Sequence, residues 1–323
     1  MMKAEQEALI RVENLKKYFY PKRNSVLKAL DGVSFSIYPG ETLGLVGESG
    51  CGKSTAGKTI VRLFEPTDGQ VWYRKRHVHQ LKGGELKNFR KKVQIIFQNA
   101  YASLNPKMTV EWIVGEGMDI HHLYPGKARR ERIRELLHLV GLKQEDGRRY
   151  PHEFSGGQRQ RIGIARALAL EPECIICDEP VSALDMSMQA QIVNLLQDLQ
   201  EKMRTSYLFI SHDLGLVRYL ARRIAVMYLG NLVELAGAAD LYQHPLHPYT
   251  QALLAAVPYL DVQQEVEKKR MVLSGEVPSP FNPPFGCPFV TRCSYGTEIC
   301  RQEKPLLKEA APGHFVACHG HFS

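Results

Sequence analysis

Residues 42–55 read TLGLVGESGCGKST. Thr42–Val46 is a short apolar run of strand type, the eight residues after it match G-x-x-x-x-G-K-[ST] at every fixed position, and helix-forming sequence starts at Lys53. That strand–loop–helix context separates a phosphate-holding loop from a chance match. Gly47, Gly50 and Gly52, with Glu48, Ser49 and Cys51 between them, let the backbone wind close enough for its N–H groups to surround phosphate oxygens. The following helix N-terminus adds partial positive charge. Lys53 supplies a point charge for β and γ phosphates, Ser54 a hydroxyl for Mg²⁺, and Thr55 leads into the helix.

Working outward, VQIIFQ, CIICDEP and YLFISHD are three further apolar, β-rich runs, the last two each followed by helical sequence. This alternation predicts an α/β domain with a largely parallel sheet and its functional loops at strand ends. Between Gln98 and Ser155 the pattern is helical only. RRERIRELLHLVGL puts Ile133, Leu136, Leu137 and Val140 on one stripe, with Gly141 as its stop. The expectation is a nucleotide-binding domain over residues 1–257 containing a helical subdomain at about 99–165. Beyond it, the charged DVQQEVEKKR (Asp261–Arg270) and the proline-dense GEVPSPFNPPFGCPF (Gly275–Phe289) cannot hold a regular helix or central strand. Residues 258–323 read as a small, loop-rich extension.

CIICDEP delivers two carboxylates to a strand end. Asp178 suits a magnesium held through water, and Glu179 suits a group that accepts a proton from an attacking water or orients it. ISHDL repeats the arrangement, placing His212 for a γ phosphate. Gln98, at the end of VQIIFQ, can reach both metal and water through its amide.

FSGGQRQRIGIARAL (Phe154–Leu168) adds a second helix start suited to an anion. Ser155 is a natural N-cap, Gly156 and Gly157 remove side chains, and Gln158 follows. Together with SALD (Ser182–Asp185) and the histidine run, this ordered set over roughly residues 10–235 resembles the ATP-binding subunit of ABC transporters. The resemblance implies a P-loop NTPase fold of ABC type in which Ser155, Gly156, Gly157 and Gln158 close over the γ phosphate held by another subunit's loop, with Asp185 at the same interface. It also implies an aromatic ring on adenine, Phe19 by register, with Tyr18 and Tyr20 as rivals. KALDGVSFSIYPG, IIFQNAYASLNP, RYPHEFSGGQ and HPLHPYTQALLAAVP are similar to the oligopeptide and dipeptide importer ATPases. The same subfamily includes importers of nickel and glutathione. The implied partners are a second ATPase subunit, commonly a different chain, two transmembrane permeases and, indirectly, a solute-binding protein.

The opening MMKAEQEALIRVENLKKYF lacks the apolar core of a signal peptide, and RIAVMYLGNLVELAGAADLY is broken by Arg223, Asn231 and Glu234. The chain is expected in the cytosol, peripheral to the membrane. Its charge of +8 gathers at Arg74–Lys92 and Lys127–Arg134, where basic and apolar residues mix at helical spacing, as on a solvated or headgroup-facing surface. A nucleic-acid ATPase of the same superfamily carries long coiled coils or zinc modules, which this compact cassette lacks. A non-hydrolytic interaction subunit is disfavoured because Lys53, Asp178, Glu179 and His212 are all present. Cys174 and Cys177 read as core. Five, six and seventeen residues intervene between Cys287, Cys293, Cys300 and Cys318 in turn. In a reducing compartment disulfides do not persist, and no tight zinc knuckle exists, which leaves an iron-sulfur centre, zinc or free thiols. Similarity to the cysteine-bearing tails of some peptide-importer ATPases implies a [4Fe-4S] cluster.

Overall fold

The computed structural model describes residues 7–22, 25–257 and 278–320. The charged run Asp261–Arg270, the boundary after residue 257 and the first six residues lie outside them. In chain order the elements are β1 (Ile10–Lys22), β2 (Ser25–Ile37), β3 (Thr42–Val46), α1 (Lys53–Ile60), β4 (Asp68–Tyr73), β5 (Arg76–His77), α2 (Gly83–Lys92) and β6 (Val93–Ile96). Then come α3 (Ala100–Ser103), α4 (Val110–Ile120), α5 (Lys127–Leu139), α6 (Gly156–Leu168), β7 (Cys174–Asp178), α7 (Met186–Met203), β8 (Ser206–Ser211), α8 (Leu214–Leu220), β9 (Arg223–Tyr228) and β10 (Asn231–Gly237). The chain closes with α9 (Ala238–Gln243), α10 (Pro248–Ala255), α11 (Glu298–Gln302), β11 (Lys308–Ala311) and β12 (His314–Val316).

These elements form two compact units. The first takes the described residues of Met1–Ile37, Thr42–His79 and Ser211–Ser323. One of its sheets is antiparallel, in the order β2-β1-β4-β5. Its other strands run β11-β12-β10-β9-β3, with β3 parallel to β9 in the register Leu43↔Arg223 to Val46↔Val226. β3 is buried along its whole length, which is why it reads as an unbroken apolar run. The antiparallel sheet is absent from the sequence expectations. Its period-2 signal in β1 is broken after Val12, where Asn14 takes φ +45° and the pairing with β2 slips. The described part of the C-terminal extension adds β12 to β10, Glu234↔Val316, and so contributes a strand to the first unit.

The second unit takes Tyr38–Glu41 and Gln80–Ile210. β6, β7 and β8 pair in parallel, Val93↔Cys174 and Cys174↔Ser206. β7 is buried throughout, and Cys174 and Cys177 are core as expected. Burial, with Glu173 adding to it, pushes the Cys174 thiol up to about 12, so it stays protonated. α5 buries Ile133, Leu136 and Leu137, and Val140 just beyond it completes the expected stripe. Gly141, at φ +73°, stops it with paired bonds: its N–H donates to His138 O at 2.9 Å, and Leu142 N–H to Leu137 O at 2.8 Å.

One expectation is corrected. The basic stretch Arg74–Lys92 is not helical throughout: Arg74 lies at φ +53° in a turn, β5 and a 3₁₀ turn follow, and only Gly83–Lys92 is α-helix. The pairing of β4 with β5 claims residues that local spacing assigned to a helix.

Candidate functional site

In the first unit β3 runs into a loop whose first and last glycines have no room for a side chain. Gly47 takes φ +151°, and a Cβ there would lie 2.2 Å from the Met227 carbonyl oxygen. Gly52, the residue before α1, takes φ +110°, and its Cβ would lie 2.2 Å from the Ala29 carbonyl oxygen. The backbone is thereby pressed against β9 and β2 with no room for side chains. Lys53 is buried, and its Nζ donates to the carbonyls of Gly47 (2.7 Å) and Glu48 (2.9 Å) and lies 3.8 Å from Cys51 Sγ. The ammonium is held inside the curl of the loop. Cys51 is buried and its thiol is pushed up by that burial, while Ser49 and Gly50 are exposed at the tip. Ser54 and Thr55 are half-buried on the first turn of α1.

Two residues that sequence reasoning passed over hold this loop from behind. Glu48 N–H donates to the Tyr249 hydroxyl at 2.8 Å, and the Glu48 carboxylate receives both terminal nitrogens of Arg292, at 2.8 and 3.1 Å. The Tyr249 segment, HPYT, carries subfamily likeness in the sequence, but nothing local links either residue to position 48. The same unit places His212 exposed just beyond β8, next to Asp213, whose carboxylate accepts from Leu216 N–H and caps α8. Phe19 is half-buried, edge-on to Phe64 at 5.6 Å with Lys17 Nζ 5.0 Å above its ring. Of its rivals, Tyr18 donates its hydroxyl to Asp31 and Tyr20 is exposed.

In the second unit β7 ends in Asp178, 2% exposed, followed by Glu179 at φ +45°. Gln98 Nε2 donates to Glu179 Oε2 at 2.7 Å, so the structure joins two of the expected catalytic residues directly. Ser155 caps α6 through a reciprocal box: Gln158 N–H donates to Ser155 Oγ at 3.4 Å, and Ser155 N–H to Gln158 Oε1 at 3.0 Å. Gly156 is exposed, whereas Gly157 is buried, its missing Cβ making room for the Met188 side chain. Gln98, Tyr101, Gly156 and Arg159 line one shallow depression of this unit. Asp185 caps α7, accepting from Met188 N–H at 2.9 Å. Within this unit the donor chemistry fits a hard cation: a buried carboxylate at Asp178 and an amide at Gln98. Magnesium, when bound, neutralises charge on the β and γ phosphate oxygens.

Residues 30–182 match the ABC transporter family, and residues 233–300 match the C-terminal region of oligopeptide/dipeptide transporters. The oligopeptide transport ATP-binding protein AppF of Bacillus subtilis (strain 168) is 53% identical over 99% of this chain and 99% of its own. The chain belongs to the oligopeptide/dipeptide family of ABC transporter ATP-binding subunits. The oligopeptide transport ATP-binding protein OppF of the same organism is 52% identical over 97% of this chain and 96% of its own. Among solved structures, the dimeric bacterial ABC transporter cassette MJ0796 is 31% identical with TM-score 0.65, covering 71% of this ATPase subunit and 98% of that chain. CbiO1 from Clostridium perfringens, at 24% identity and TM-score 0.65 over 74% of this chain and 92% of its own, shares the fold.

The four late cysteines of the ATPase subunit lie near one another in the first unit. Burial pushes the Cys287 thiol up to about 11, and Cys300, Cys318 and Cys293 each add to the rise. Burial likewise raises Cys293 and Cys318, with their fellow cysteines contributing. Cys300 Sγ is also 3.3 Å from Thr297 Oγ1. Yet among the described residues no three His, Cys, Asp or Glu side chains are spaced to hold a metal ion. That placement lends no support to the expected [4Fe-4S] or zinc site.

Proposed function

We propose that this ATPase subunit powers import of oligopeptides or dipeptides, working at the cytoplasmic face of the membrane beneath two permeases that a solute-binding protein supplies. The observation that carries the reading is 53% identity over nearly the full length of an oligopeptide transport ATP-binding protein, including the C-terminal region. No helix among the described residues is long and apolar enough to cross a membrane, which suits a subunit that borrows its membrane passage from others.

The residues divide the work in two. The Gly47–Thr55 loop and Lys53 grip the β and γ phosphates. Asp178 and Ser54 hold the magnesium. Glu179 takes the proton of the attacking water or aims it, with Gln98 fixing its carboxylate, and His212 contacts the γ phosphate. The capped tip of α6, Ser155–Gln158, with Asp185 near the same face, belongs to the ATP held by a second ATPase subunit, commonly a paralogue. Support for that pairing is the dimeric form described for MJ0796. Within one loop Lys53 and the helix N-terminus already serve the anion; a second N-terminus free of side chains at Gly156 suits a neighbour's. Phe19 is the adenine platform.

Co-purified with its permeases and binding protein in vesicles, the subunit is expected to drive ATP-dependent uptake of short peptides, and not of nickel or glutathione. Peptide-independent uptake of either of those overturns the substrate. Glu179→Gln is expected to cut hydrolysis at least about a hundredfold while Mg²⁺-ATP draws the ATPase subunits into a dimer visible by light scattering. A variant that hydrolyses at the wild-type rate removes Glu179 from its role. Support for a [4Fe-4S] cluster is the gathering of four thiols, set against spacing that suits no ion, and the mechanism uses none. Iron and sulfide analysis after anaerobic purification decides it, with ready alkylation of all four cysteines in iron-free protein excluding the cluster.

A further inference from the structure

Glu48 follows the first glycine of the phosphate loop, and each of its polar groups has a partner. Its N–H donates to Tyr249, its carbonyl accepts from Lys53, and its carboxylate takes the Arg292 fork. Phosphate binding gives no reason for a carboxylate here. A negative charge beside an anion cradle repels the ligand unless something neutralises it. Arg292, 8% exposed, does so with two parallel bonds that fix orientation as well as charge.

Arg292 comes from the cysteine segment. Consecutive turns deliver it: Val290 N–H donates to Cys287 O at 3.1 Å, and Arg292 N–H to Phe289 O at 3.0 Å. Phe289 is wedged against Tyr228, Tyr249 and His247, with ring centroids 5.3, 5.5 and 5.6 Å away, and Cys287 N–H donates to Cys300 O at 2.7 Å. The guanidinium is therefore anchored by packing that involves no nucleotide ligand.

We propose that Arg292 is a positioning residue of the nucleotide site: by neutralising and orienting Glu48 it keeps the phosphate loop receptive to anions, so ATP affinity depends on the C-terminal cysteine segment. The proposal rests on the reading that the Gly47–Thr55 loop holds the phosphates of ATP.

The test is calorimetric binding of ATP with Mg²⁺ to the full chain, well below the melting temperature, for wild type, R292Q, R292K, E48Q, the double variant R292Q/E48Q and K53A. R292Q is expected to raise the Kd about tenfold, a loss of about 1.4 kcal/mol. R292K, which keeps the charge without the fork, is expected to fall between. Removing the carboxylate as well, in R292Q/E48Q, restores most of the affinity, which a merely structural arginine would not allow. A wild-type Kd in R292Q, or losses in R292Q and E48Q that multiply in the double variant, overturns the proposal. Should R292Q not fold, a wild-type Kd in R292K overturns it equally. Loss of binding in K53A beside intact binding in R292Q defeats this proposal alone, whereas retained binding in K53A defeats the reading of the loop and the proposal with it.

Discussion

Glu179 carries a backbone cost that its side chain explains. At φ +45° an L-residue gives up about 1–2 kcal/mol, and glycine or asparagine is the usual occupant. The conformation turns the chain sharply off the end of β7, with the Glu179 N–H on Ile210 O at 3.1 Å and the carboxylate on the Gln98 amide. Strain concentrated at the residue assigned to water activation is the pattern expected of a site over-determined by its surroundings. Glu179→Ala and Glu179→Gly both lose the carboxylate, so comparing them isolates the backbone. Glycine ordinarily costs roughly 0.5–1 kcal/mol relative to alanine within a regular element. Here Glu179→Gly is expected to unfold in urea no earlier than Glu179→Ala, with both inactive. An alanine variant more stable by about 1 kcal/mol would show that the left-handed turn is relaxed and carries no strain.

At the scale of elements, the start of α6 combines two functions that a substitution can separate. The Ser155 hydroxyl caps the helix, and the same tip is the proposed contact for a neighbour's phosphate. Ser155→Ala is expected to lose about 1 kcal/mol of stability, since the cap acceptor disappears. Ser155→Asp keeps an acceptor of equal capping strength and is expected to melt like wild type, yet its negative charge opposes the incoming phosphate and abolishes ATP-driven dimerisation of the Glu179→Gln background. Dimerisation undiminished in Ser155→Asp would place the anion elsewhere. These elements were legible because their signals are local. A strand, a glycine-bearing loop and a helix follow one another at residues 42–60; an apolar run ends in two acids at Asp178 and Glu179; and the stripe of α5 ends at Gly141. The antiparallel pairing of β1, β2 and β4 was not legible. Its period-2 pattern is interrupted at Asn14, and partners such as Ile10 and Tyr73 meet only after a long intervening stretch.

At the scale of the whole molecule, what sequence reading missed is long-range. The fork from Arg292 to Glu48 and the bonds from Lys304 to Asp31 join residues more than two hundred positions apart, so no window of spacing contains them. A shorter reach suffices for Glu234, buried within β10: its carboxylate accepts the N–H groups of Leu246 and His247, 12 and 13 positions on, and meets His314 Nε2, 80 positions on, at 2.7 Å. His247 lies beside this carboxylate, buried, and its Nδ1 accepts from Tyr249 N–H at 3.0 Å to cap α10, a bond that only the neutral ring can make. Burial pushes its pKa down to about 4, with Glu234 opposing the fall. In the unfolded chain the ring titrates near about 6.5. The folded protein therefore binds fewer protons than the unfolded one between those values, and the stability that the neutral ring contributes is complete above about pH 6.5 and drains away as pH falls toward 4, by on the order of 3 kcal/mol. His247→Asn keeps a cap acceptor and removes the titration. Urea unfolding at pH 7 and pH 4.5 is expected to show the variant losing clearly less stability across that interval than wild type, even though it starts lower for the smaller side chain. Equal losses in the two proteins would mean that His247 takes up its proton as readily in the folded protein as in the unfolded chain, and that its bond to Tyr249 is not the one that holds α10.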